Sequence, residues 1–179
     1  ENWMKHTLAW KDNDQFNIVG NELQAAAVFA YEVSASYTIR IQVSDGALDY
    51  TEDFTVTVND APSVAPQVFN MAENTTVAGN VVANDADGPN SELRFSLTGG
   101  TDLGVFVIDA VSGELSFNTA PDFENPTQLG VTANQYEVEV TVTDMSGVGL
   151  STSALMQVNV QNANDPFSGQ PVINGTPTQ

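Results

Sequence analysis

Acidic side chains stand along this chain in two series that keep the same order and the same kinds of neighbours. One series runs through Phe16-x-Ile18, Tyr31-Glu32, Ser44-Asp45-Gly46 and Asn59-Asp60-x-Pro62. The other runs through Phe106-x-Ile108, Phe123-Glu124, Thr143-Asp144 and Asn164-Asp165-Pro166, with Glu73-Asn74 and Asp85-x-Asp87-Gly88 upstream of it. These carboxylates fall at the ends of alternating apolar stretches, not at helical spacing, so the fold gathers them in loops at strand ends. Oxygen donors grouped in this way suit a hard cation, and Ca²⁺ takes about 6–8 oxygens at roughly 2.3–2.6 Å. The first reading is therefore a calcium-binding tandem of β-domains.

The elements that must hold these loops are strands. Tyr37, Ile39, Ile41 and Val43 alternate with Thr38, Arg40 and Gln42, and Tyr136, Val138, Val140 and Val142 repeat the pattern. Phe54-Val56-Val58 and Met156-Val158-Val160 do the same, as half-buried antiparallel strands with one wet face should. Gly20-Asn21, Asp45-Gly46, Gly99-Gly100 and Ser112-Gly113 punctuate them at sandwich-like intervals. Ala25 to Phe29 reads equally as one helical turn or a short buried segment. The predicted fold is all-β: a tandem of Greek-key β-sandwiches, the first of them truncated.

Aligning Phe16 with Phe106, Glu32 with Glu124, Tyr37 with Tyr136 and Asp60 with Asp165 sets the boundaries. Residues 1–61 form the C-terminal part of one domain and 62–165 a complete one, with strands expected around Val68, Val81 and Phe95. Residues 166–179 read as a linker and the first strand of a following domain, as in a fragment of a longer protein. The first copy has too few residues before Phe16 for its opening two strands. It is therefore expected to expose strand edges and inner-face residues such as Trp3, Trp10 and Ile18.

Composition narrows the function classes. The chain has 179 residues, 23 acidic against 4 basic, and a formal net charge of -19, which disfavours nucleic acid and anionic membranes. A hydrophobic fraction of 41% still allows packed cores. Cysteine is absent, so metal ions at domain junctions are the available staple. No apolar run approaches the roughly 20 residues that span a bilayer, and no signal peptide opens the chain.

At this point the residues resemble the cadherin repeat, in the divergent form found in very long bacterial surface and secreted proteins. Met71-Ala72-Glu73-Asn74 resembles the family's x-E-N loop, and Asn84-Asp85-Ala86-Asp87-Gly88-Pro89-Asn90 its D-x-D-x-x-N loop. Pro121-Asp122-Phe123-Glu124 is similar to its D-Y-E or D-R-E loop, Thr143-Asp144 to the aspartate ending strand F, and Asn162-Ala163-Asn164-Asp165-Pro166 to its D-x-N-D-N linker. The resemblance implies a Ca²⁺ cluster at each junction of consecutive repeats. The inner junction would use Glu32, Asn59 and Asp60 with Asp85, Asp87, Asn90 and Asp144, Asn59 and Asn90 offering backbone carbonyls. A half-built outer junction would use Glu73, Asp122, Glu124, Asn162, Asn164 and Asp165. Ala30 replaces the loop aspartate of the first copy, and Thr57 and Asn162 replace the first linker aspartates. With fewer charged ligands, one or two ions are expected at the inner junction, not three.

Other readings are weaker. Asp122 and Glu124 as a glycosidase pair would need carboxylates on opposite sides of a sugar ring, and two in one loop rarely are. No serine or cysteine has a plausible base partner, so no enzymatic role is expected. His6, the only histidine, reads as a surface residue, and Asn74-Thr75-Thr76 and Asn174-Gly175-Thr176 as chance glycosylation matches. Trp3 and Trp10 form either a sugar-stacking platform or the core of the incomplete sandwich. The expected function is a calcium-rigidified adhesion or spacer module of a large bacterial extracellular or cell-surface protein, whose parent is secreted or membrane-anchored. Its partners would be neighbouring cadherin-like domains of the same chain, and another copy or a surface glycan. The alternative is a carbohydrate-binding accessory module of a secreted polysaccharide-degrading protein.

Overall fold

Alternating β-branched and aromatic residues build nearly all of the regular structure. The computed structural model describes residues 5–8, 12–146 and 148–164. In chain order the elements are β1 (Lys5–Leu8), the 3-10 turn η1 (Asn13–Gln15), β2 (Phe16–Val19), β3 (Glu22–Ala25), β4 (Ser36–Ser44), β5 (Asp49–Thr57) and β6 (Ser63–Val64). There follow β7 (Gln67–Ala72), β8 (Val77–Asn80), β9 (Ala83–Asn84), η2 (Asn90–Glu92), β10 (Leu93–Gly99), η3 (Leu103–Val105), β11 (Phe106–Ile108), β12 (Glu114–Phe117), β13 (Gln135–Asp144) and β14 (Ser151–Gln161). The chain divides into two compact units. One comprises Glu1–Val64, Val82–Arg94 and Thr141–Ser153, the other Ala65–Val81, Phe95–Val140 and Ala154–Gln179. Strands β10, β13 and β14 run through both and form, with β7, a four-stranded sheet of order β10-β13-β14-β7.

In the first unit a three-stranded sheet of order β1-β4-β5 accompanies the β2-β3 and β6-β9 pairs. The β4–β5 hairpin keeps register from Ser36↔Thr57 to Ser44↔Asp49. Asp45 turns it, accepting the amides of Ala47 (2.9 Å) and Leu48 (2.8 Å), and Gly46 supplies the φ of 89° that a side chain would resist. Phe16, Phe29 and Tyr37 cluster, with centroids 4.5–5.9 Å apart. Only part of the predicted alternation is buried here. Ile39 is fully buried, Tyr37, Ile41 and Val43 are half-buried, and Phe54 on β5 is exposed. β5 is exposed on both faces apart from half-buried Val56; Ile18, expected to be exposed, is half-buried, and Trp3 and Trp10 lie outside the described residues. His6 pairs with Val43 through its backbone.

The stretch Ala25 to Phe29 departs from both expectations. Ala25 ends β3, the next residues bend without helix, and Val28 is 99% exposed. Only Phe29 turns inward, to the aromatic trio. Three alanines and a valine have no periodic apolar partner, and the segment is held by the Ala26 amide on the Gln15 carbonyl (2.8 Å) and by the ring contacts of Phe29.

The second unit is better filled. Strands β11, β12 and β8 form one sheet, and β7 pairs in parallel with β14 from Gln67↔Met156 to Ala72↔Gln161. Tyr136, Val138, Val140, Met156, Val158 and Leu115 are fully buried, as the alternation required. Phe106, Phe117 and Tyr136 repeat the aromatic trio of the first unit, here with both tyrosine pairs T-shaped where only Phe16–Tyr37 is in the first. A carboxylate accepts the amide that follows the tyrosine of each trio. Asp102 accepts the amides of Leu129 (2.6 Å) and Glu137 (2.9 Å), as Asp12 accepts that of Thr38 (2.9 Å).

Candidate functional site

Two groups of carboxylates form, one in each unit. The first is assembled from the β9–η2 loop and the end of β13. Asp144 follows the run Tyr136-Val138-Val140-Val142 by the same period of two, so its side chain is carried to the buried face, with no exposed surface. It accepts the Ser146 amide (2.7 Å), the Ser146 hydroxyl (2.6 Å) and Nδ2 of Asn59 (3.3 Å). These donors, the Ser146 hydroxyl foremost, hold its carboxyl below the usual carboxylate range. Asp85, 6% exposed, is pushed the other way, first by burial and then by the neighbouring Asp87 carboxyl, which outweigh the Asp87 amide it accepts. The loop is fixed from within: Asn90 Oδ1 accepts the Asp85 amide (2.8 Å), and Asp85 Oδ1 the Asp87 amide (3.4 Å).

Oδ2 of Asp85 and Oδ1 of Asp87 are buried and have no hydrogen-bond partner. Such atoms carry the full desolvation penalty. Gly88 keeps the space beside them clear, since a Cβ there would stand 2.8 Å from Asp85 Oδ2. Unpaired anionic oxygens facing a cleared space are what a hard cation requires, so the residues present fit Ca²⁺.

The remaining inner residues are distributed unevenly. Asn59 and Asp60 are half-buried in the segment after β5, and Asn59 Nδ2 also donates to the Asp60 carbonyl (3.2 Å). Asn90 is exposed, its amide donating to Asn84 Oδ1 (3.3 Å). Both asparagine side chains are thus engaged, and the Asn90 carbonyl also accepts the Leu93 amide that closes η2. Glu32 is exposed on the turn Tyr31–Val33. Its neighbour Tyr31 is what reaches the loop, the hydroxyl donating to the Ala86 carbonyl at 3.0 Å. Tyr31, Asn59, Asp87 and Ser146 line one open cleft. Sequence spacing pointed to neither Tyr31 nor Ser146 as part of the site. The only signal was that Tyr31 precedes Glu32 and that Ser146 follows Asp144 by two, the spacing of an Asx turn.

The second group joins Glu73, Asp122 and Glu124, one carboxylate oxygen of each lying within 4.8 Å of the others. Glu73 is 2% exposed at the end of β7. Its Oε2 accepts the Phe123 amide and its Oε1 the Ala163 amide, both at 2.8 Å, and these donors hold its carboxyl below the usual range. Asp122 Oδ1 accepts the amides of Glu124 and Asn125, and Asn162 donates to Glu124 Oε1. Asn134, at φ 61°, holds the same loop by donating to the Phe123 carbonyl (3.0 Å). Asn164 is exposed, and Asp165 and the segment 166–179 lie outside the described residues.

Comparison with known proteins gives these loops their context. The cadherin domain profile matches residues 67–161, the strands β7 to β14 with Glu73, Asp85, Asp87, Asp122, Glu124 and Asp144 among them. Rat protocadherin-16 is 34% identical over 148 residues, 75% of this chain, and mouse protocadherin Fat 4 is 28% identical over 159 residues, 83% of it. The chain spans only 4% and 3% of those two proteins. Among solved structures, the EC1-2 fragment of human protocadherin-24 superposes with a TM-score of 0.51 at 18% identity, covering 91% of this chain and 83% of that one. The fold is that of an all-β cadherin sandwich, and since the profile takes in more than half of the residues, this chain belongs to the cadherin domain family.

Proposed function

We propose that this chain is a calcium-stiffened adhesion or spacer module of a large extracellular or cell-surface protein. Its partners are neighbouring repeats of the same protein, with another copy as a candidate adhesive partner, and no reaction is assigned to it. Cadherin domains bind calcium as a family, and the chain's length against its relatives suits one link of a long array. The observation that carries the reading is the pair of buried, unpartnered oxygens on Asp85 and Asp87 beside the cleared space at Gly88. Asp85, Asp87 and Asp144 with the Asn90 carbonyl would hold the ion from the loop side, and Asn59, Asp60 and Glu32 from the linker and turn. The outer group would use Glu73, Asp122 and Glu124 with Asn162, Asn164 and Asp165. Bound calcium supplies the positive charge that these carboxylates otherwise lack.

The chain's own residues do the rest. Ser146 and Asn59 keep Asp144 ionised and oriented, and Asn90 fixes the loop that carries Asp85. The domains read as residues 1–61, 62–165 and 166–179, with Pro62 and Pro66 bounding a short linker. Titrating Ca²⁺ into EDTA-treated protein tests the reading. An ion bound only by the folded state at about 100 times its Kd stabilises by about 2.7 kcal/mol, and about 2–4 °C of midpoint per kcal/mol follows for a chain of this size. An unchanged midpoint at millimolar calcium overturns it.

A further inference from the structure

The first copy lacks the aspartate that would stand at Ala30, yet its turn still touches the calcium-type loop. The contact is the hydrogen bond from the Tyr31 hydroxyl to the Ala86 carbonyl, at 3.0 Å. Ala86 sits between Asp85 and Asp87, so its carbonyl belongs to the peptide that sets the spacing of their two unpartnered oxygens. Both donor and acceptor are uncharged, and neither needs a metal to be satisfied. Tyr31 also lines the cleft that Asp87, Asn59 and Ser146 share. A phenol can donate to a carbonyl there, which a carboxylate could not.

We propose that Tyr31 is a positioning residue, a metal-independent tether that holds the Asp85–Asp87 loop in its ion-receiving conformation. The role deepens the calcium reading above and rests on it for the word "ion-receiving". The tether itself does not, because a hydroxyl-to-carbonyl hydrogen bond needs no metal to form. It gives a junction with a reduced ligand set a second means of order: one carboxylate is missing at Ala30, and a neutral hydrogen bond from the next residue substitutes for part of its positional effect without adding charge to an already acidic site.

The test uses the full chain and Tyr31→Phe, which keeps the ring and removes only the donor. In EDTA, amide hydrogen exchange at residues 85–88 is expected to rise by about 2–10-fold, the worth of one net hydrogen bond. Exchange in the β13–β14 core should stay unchanged, a pattern that general destabilisation would not give. Calcium affinity should fall by a similar factor. Unchanged exchange at residues 85–88 overturns the tether. Faster exchange with unchanged affinity overturns the positioning role. If the unsubstituted chain shows no saturable calcium binding, the calcium reading fails, and exchange in EDTA still decides the tether by itself.

Discussion

The two carboxylate groups are built from similar residues but balanced differently. Around Glu73 every carboxylate oxygen given a partner is held by an N–H: Phe123 and Ala163 on Glu73, Glu124 and Asn125 on Asp122, Asn162 on Glu124. Around Asp85 the donors are concentrated on Asp144, and two buried oxygens on Asp85 and Asp87 have none. Backbone amides thus do for one acidic loop much of what, in our proposal, a cation does for the other. The number of carboxylates in a loop says little about its need for a metal; the number of N–H groups pointed at them says more.

The sharpest way to break this contrast is to remove the anionic oxygens that lack partners. In Asp85→Asn with Asp87→Asn, the calcium-dependent rise of the thermal midpoint should shrink to what the outer group around Glu73 supplies, while circular dichroism stays that of a β-sandwich. A full calcium shift in this variant would place the ion elsewhere.

Next in size is an opposition of sign in calcium-free protein. Glu73→Gln replaces an acceptor of two amides by a group with one acceptor oxygen and an NH₂, which faces a donor with a donor, so the midpoint should fall by several degrees, about 1–3 kcal/mol being typical of an orphaned donor. Asp85→Asn removes a buried charge that has no compensation, so its midpoint should hold or rise. Falls of equal size in thermal melts of the two variants would erase the distinction between the groups.

Acid titration of the calcium-free chain sharpens the same point. Glu73 lies below the ordinary carboxylate range, so its contribution is full above the unfolded value of about 4 and is lost as pH falls through the folded one. Asp85 lies above that range, so its contribution is full below the unfolded value and is lost as pH rises through the folded one. Midpoints measured from about pH 3 to pH 7 should show Glu73→Gln flattening the acid limb and Asp85→Asn flattening the opposite one.

The smallest effect concerns space. Gly88→Ala puts a methyl 2.8 Å from Asp85 Oδ2, which must turn away. Calcium affinity measured by calorimetry should drop while the calcium-free midpoint moves little.

Strand content was legible wherever one local period decided it. Tyr136 to Val142 and Met156 to Val160 are buried residue by residue as their alternation requires, because each has a packed layer to meet. The same period in Phe54-Val56-Val58 marks a strand, which ends at Thr57, yet β5 is exposed almost throughout, since period reports which face a residue occupies and not what lies opposite. The loops with Glu73, Asp85 and Asp122 could be found from spacing. Their hydrogen-bond balance could not, because the amides of Phe123 and Ala163 that fix Glu73 lie 50 and 90 residues away. Asp102 escaped for the same reason, its partners being 27 and 35 residues distant. Tyr31 carried only the weak signal of preceding Glu32, and a tyrosine before a glutamate is equally suited to a core, a surface or a tether.

The parallel pairing of β7 with β14 has a mechanical consequence. The strand that begins the repeat and the strand that ends it run side by side in one direction, matched from Gln67↔Met156 to Ala72↔Gln161. Tension transmitted along a string of such repeats pulls β7 back toward Gln67 and β14 forward toward Gln161. The ladder between them is therefore loaded in shear: its bonds share the force and must yield together, where a hairpin pulled from its open end would unzip one rung at a time. A repeat closed in this way resists stretching through its backbone alone, before any ion is bound.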